Sequence, residues 1–88
     1  MSNSDNIISK GLAGVVEEFL LNYFEAHEGV LPTPGLYERI VREVERPLLI
    51  IMLKQVSCNQ KKAAEILGIN RNTLRKKLDE LQIDLKKI

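Results

Sequence analysis

The chain of 88 residues has one cysteine, one histidine, no tryptophan, and only two tyrosines and two phenylalanines. A single thiol, Cys58, excludes an intrachain disulfide and fits a reducing cytosol. The lone His27 stands in the acidic stretch EAHEG. Without a metal-spaced set of Cys and His, a glycine-rich phosphate loop or a nucleophile motif, the sequence predicts no enzyme, no metal site and no cofactor. The few aromatics, Tyr23, Phe24 and Tyr37, are expected in the core rather than against a ligand, and no small-molecule ligand is expected. Long hydrophobic runs are missing too. The longest, residues 48–53, has six residues, against about 20 for a bilayer-spanning helix. The polar start MSNSDN lacks the basic and apolar regions of a secretory signal. These absences predict a cytoplasmic protein with no membrane partner.

What is present is ordinary globular material, 44% hydrophobic and 28% charged. Its length fits one domain, residues 1–88, with a limited core of its own, so self-association is a natural way to bury more surface. The net charge of +1 conceals an asymmetry. Residues 1–59 carry five Lys/Arg against eight Asp/Glu, a net −3, whereas residues 60–88 carry eight against four, a net +4. Such a split is the usual footprint of a module that touches nucleic acid or another polyanion, although a solvated basic face would look the same.

Apolar residues at Ile8, Leu12, Val15, Val16, Phe19, Leu20, Tyr23 and Phe24 recur at helical spacing. They predict a first helix from Ile7, capped by Ser4 or Asp5 and stopped by EGVLPTPG. Thr33 and Pro34 resemble an N-cap and first helical position, opening a longer helix toward Val56 with Leu36, Tyr37, Ile40, Val41 and Val44 inward. Pro47 should bend it, since proline removes a backbone hydrogen bond and crowds the preceding turn. The run LLIIML that follows is apolar on every side of a helix and must be buried all round. A second copy of the chain is the economical cover, giving an isologous homodimer; the alternative is a monomer that folds its C-terminal helices over the run.

The stretch NQKKAAEILGINRNTLRKKL, residues 59–78, holds six of the thirteen basic residues. Asn59 is a good N-cap for a helix from Gln60 to about Leu67, with Ala63, Ala64, Ile66 and Leu67 making apolar contacts. Gly68 can end it in the left-handed conformation. Asn70 caps a second helix, residues 70–81, and Ile69 can pack on Leu74 as a hydrophobic staple. Leu74, Leu78 and Leu81 form the inward stripe of what reads as a helix-turn-helix. The helical wheel then turns Asn72, Arg75, Lys76 and Asp79 outward, with Thr73 on the flank and Arg71 in the first turn. Arg can bond guanine bidentately and Asn adenine, so this surface suits a DNA major groove. A purely structural helical hairpin, serving protein interaction or dimerisation without DNA, remains the competing reading.

Together with GLYERIVREVERPLL upstream, this stretch resembles the Fis-type DNA-binding domain, which also occurs at the C-terminus of NtrC-class response regulators. The resemblance is dense over residues 31–81 and closer to the NtrC-class version. It implies an all-α, four-helix subunit forming an intertwined dimer, with residues 5–57 as dimerisation helices and residues 59–82 as the helix-turn-helix. It further implies a transcriptional regulator or nucleoid-associated protein of the bacterial nucleoid that binds and bends double-stranded DNA. Carried over by position, the DNA-contacting residues are Asn59, Asn70, Arg71, Thr73, Arg75 and Lys76, to which the helical wheel adds Asn72. Ser57 and Cys58 stand where the family pattern has Arg-Gly. That departure removes a phosphate contact and predicts weaker affinity, with backbone strain of order 1 kcal/mol if Cys58 keeps a positive φ.

Overall fold

Four α-helices and no strand occur among the described residues, 11–88, of the computed structural model. They are α1 (Ala13–Ala26), α2 (Leu36–Gln55), α3 (Gln60–Leu67) and α4 (Arg71–Glu80), followed by a short 3-10 turn, Leu85–Lys87. The all-α expectation holds. The proposed caps Ser4 and Asp5 and the start at Ile7 lie outside the described residues. Among the described residues, those up to Pro34 and those from Gly35 to Ile88 form two separate compact units.

In the first unit α1 carries the expected apolar stripe, yet none of its residues is buried. Val15, Phe19 and Leu21 are more than half exposed. Tyr23 is held by its neighbours on the same helix: its ring lies 6.1 Å from that of Phe19, 5.6 Å from Phe24 and 4.2 Å from His27. His27 Nδ1 donates to the Tyr23 carbonyl oxygen at 2.7 Å, closing the last turn. The loop with two prolines and two glycines then stops the helix as expected, with Glu28 and Gly29 both at positive φ.

The second unit opens differently from the expectation. Thr33 and Pro34 do not start α2; Gly35 occupies the N-cap position at φ 98°, and the helix begins at Leu36. Pro34 at the first helical position would need Gly35 itself to be helical, whereas a residue without Cβ takes the left-handed conformation freely. The first helical bond runs from the Arg39 N–H to the Gly35 carbonyl, 3.1 Å. Pro47 lies inside α2 without ending it. On the outer face Arg42 pairs with Glu38 one turn back, 3.0 Å, as the i,i+4 spacing predicts.

The core of this unit is Leu49, Leu53, Ala63, Ala64, Leu74, Leu78 and Leu81, with Met52, Val56, Leu67 and Ile69 packed against it. Two alanines on α3 keep side chains short there, so the helices approach closely around the fully buried Leu53 and Leu74. Within this unit the run 48–53 is therefore covered on one side only. Leu49 and Leu53 are buried, while Leu48 and Ile51 on the other side are about half exposed, at 50% and 56%. None of the five α2 side chains expected inward is buried: Leu36, Ile40 and Val41 are half-buried, and Val44 and Tyr37 are exposed, at 37% and 84%. Phe24, at 38%, and Ile66, at 58%, are exposed too. Ile66 misses the core because 3.6 residues per turn rotate it away from the face shared by Ala63, Ala64 and Leu67. The chain beyond the expected end of the motif also joins the core. Ile83, Leu85 and Ile88 pack on it, fixed by the Asp84 side chain, which accepts from the Lys86 N–H at 2.9 Å.

Candidate nucleic-acid interface

Local backbone chemistry sets both small helices. At the end of α2 the Ser57 and Cys58 N–H groups turn back to the Lys54 and Leu53 carbonyls, at 3.4 and 2.8 Å. This is the paired capping bond pattern of a Schellman motif, with Ser57 at φ 51° in the position glycine usually takes and Cys58 also left-handed at φ 63°. The chain then reverses into Asn59, whose side chain accepts from the Lys62 N–H at 3.1 Å and caps α3. Gly68, at φ 76°, ends α3 through the same motif: its N–H reaches Glu65 and that of Ile69 reaches Ala64, 3.2 and 3.1 Å. A third N-terminus follows within two residues. Asn70 accepts from the Asn72 N–H at 2.7 Å and starts α4, and Ile69 beside it is partly buried in the cluster that contains Leu74, as a staple requires.

The left-handed pair before Asn59 has a measurable consequence. Cys58→Gly should relieve about 1–2 kcal/mol of left-handed backbone strain, offset by about 0.4–1 kcal/mol through the greater freedom of the unfolded chain. The expected net result is a gain of about 0.5–1 kcal/mol in urea unfolding, with the helix content unchanged. A loss of stability would show that the half-buried thiol packs well enough to outweigh the strain.

On α4 the faces separate cleanly. Leu74, Leu78 and Leu81 are 0%, 5% and 3% exposed. Arg71, Asn72, Thr73, Arg75, Lys76 and Asp79 are all exposed. Six of the seven sequence-predicted contact residues thus lie at or after one capped N-terminus, where unpaired N–H groups and the helix dipole favour an anion. Asn59 is exposed as well, at the start of α3 beside the exposed Lys61 and Lys62. The remaining basic residue of the helix, Lys77, faces elsewhere: its Nζ donates to Glu45 Oε2 of α2 at 2.6 Å. Arg46, the next residue of α2, donates from Nη1 to the Leu81 carbonyl at 2.7 Å. Sequence reading missed both links, which join residues 32 and 35 apart and leave no local signal.

Geometrically the unit offers one amphipathic helix with a polar and cationic outer face and a buried leucine face, and no helix among the described residues is long and apolar enough to cross a membrane. Residues 40–81 match the model of the bacterial regulatory protein, Fis family. The chain is 51% identical over 76 residues to the DNA-binding transcriptional regulator NtrC of Azospirillum brasilense, covering 86% of this chain and 16% of that protein. It is 41% identical over 78 residues to the DNA-binding protein Fis of Proteus vulgaris, covering 89% of this chain and 83% of that one. It therefore spans about a sixth of the length of its NtrC relatives and most of the length of Fis. No solved structure matches the chain. The capped helix pair, the glycine turn and the likeness to Fis along nearly its whole length lead to one conclusion: the chain belongs to the Fis family of bacterial regulatory proteins.

Proposed function

We propose that the chain is a sequence-specific DNA-binding module of a transcriptional regulator or nucleoid-associated protein, acting as a homodimer in the bacterial nucleoid. It works by binding and carries out no reaction. The observation that carries this reading is α4 itself, with three leucines buried on one face while Arg71, Asn72, Thr73, Arg75 and Lys76 stand exposed on the other. In this reading their side chains enter the major groove, Arg and Asn toward base edges and Lys toward phosphates. Asn59 and Asn70, at helix N-termini, sit where phosphates are favoured. The names of the NtrC and Fis relatives support the same partner.

Apolar side chains that neither unit covers by itself support the dimer. Leu48 and Ile51 on α2, and Val15, Phe19 and Leu21 on α1, expose large apolar side chains that a second copy would bury. In this reading residues 1–88 act as one domain, with residues 5–57 pairing the copies and residues 59–82 meeting DNA. Two reading helices then sit at a fixed spacing, and duplex DNA bends to reach both.

The test is a salt titration with duplex DNA and the full chain. Binding should weaken linearly in log–log form, by a slope of about −0.9 for each phosphate contact, and the bound species should contain two chains. Binding that is absent, or indifferent to salt, overturns the proposal. The apolar surfaces of α1 and α2 would then favour a dimerisation module without DNA.

A further inference from the structure

We propose that Glu45 and Arg46 are positioning residues that set the angle of the reading helix α4 on α2; the role rests on the DNA-binding reading above. A leucine stripe gives an attraction without direction of its own. Two polar links add directional contacts to it. Glu45 Oε2 holds Lys77 Nζ at 2.6 Å, and Arg46 Nη1 holds the Leu81 carbonyl at 2.7 Å.

They act from different sides. Glu45 borders one groove with Val41, Arg42 and Glu80, whereas Arg46 borders another with Lys54 and Gln82. Successive helical residues point about 100° apart, so one turn of α2 grips the end of α4 from both flanks. The Leu81 carbonyl belongs to the last turn of α4, where carbonyls lack helical partners and a cation is favoured. The Lys77–Glu45 pair is partly shielded, its side chains 33% and 22% exposed, so it keeps more direction than a freely hydrated surface pair. Pro47 has no N–H to offer the Glu43 carbonyl, and the two links leave from the residues directly before it. The arrangement also gives Lys77 a different task from Arg75 and Lys76: its charge is engaged inside the subunit rather than offered to phosphates.

The test compares the full chain with Glu45→Ala and Arg46→Met, using Glu43→Ala as a control that removes the same charge as the first without the link. Two quantities are measured. One is the ratio of affinities for a selected duplex and a random duplex at one salt concentration. The other is hydrogen exchange at the Leu81 and Ile83 amides without DNA. We expect discrimination to fall about fivefold or more, the smallest loss given by one misread base pair, while random-duplex affinity holds. Exchange should quicken severalfold at both amides. Glu45→Gln and Arg46→Lys, which keep an acceptor and a donor, should recover part of each effect. A merely structural role would lower both affinities together, and that result, like unchanged discrimination, overturns the proposal. If the chain binds no duplex at all, the DNA reading fails separately; unchanged exchange at those amides would then overturn the brace as well.

Discussion

Leu74→Ala is expected to destabilise the chain by about 2–5 kcal/mol, the usual cost of emptying a filled core position. Leu74 is fully buried, as is Leu53, in a cluster shared by α2, α3 and α4. Removing its branched end opens a cavity where those elements meet. The Ala63 and Ala64 side chains are too short to fill it, and the helices are held by caps and turns that resist collapse. Small domains sit toward the low end of the roughly 5–15 kcal/mol available to folded proteins, so a loss of this size leaves a large unfolded fraction at growth temperature. Urea unfolding checks it. Ile66→Ala, 58% exposed on the same motif, is the companion measurement and should stay within about 0.5 kcal/mol of the parent. Equal losses at the two positions would mean that Ile66 is covered in solution, by a second copy or another partner.

The second large effect concerns binding. Arg75→Ala should cost about 1–3 kcal/mol for each base pair that Arg75 reads, on the preferred sequence and much less on random duplex, because a bidentate contact discriminates between bases. Arg71→Ala tests the first turn of α4 in the same way. Both side chains are exposed and outside the core, so these variants should unfold like the parent. Lys76→Ala provides the contrast: removing a cation that faces a phosphate weakens binding to all sequences alike and makes the salt slope shallower by about 1. A uniform loss in Arg75→Ala would move that residue into the phosphate class. No loss in any of the three would remove α4 from the interface.

The helix pair was legible in the sequence because its determinants are local. Asn59 and Asn70 cap the N–H groups of Lys62 and Asn72, three and two residues ahead. Gly68 ends α3 because its own backbone takes φ 76° without a side-chain clash. The leucine stripe of α4 follows from its spacing alone. Even the strain at Cys58 could be anticipated from a position where the family pattern carries glycine, and the structure finds φ 63° there.

Long-range features were not legible in that way. LLIIML announced only that it needed cover, and the tertiary structure decided that α3 and α4 shield Leu49 and Leu53 while Leu48 and Ile51 stay bare. Nothing near Lys77 in the sequence pairs it with Glu45, and nothing near Arg46 aims it at Leu81. By itself the sequence determined where helices start, stop and turn polar or apolar, since each of those choices is made within about four residues by capping bonds and helical period. Only the tertiary structure decided which apolar face is covered and which charges are engaged, because burial and pairing depend on groups that the fold, not the chain order, brings into reach.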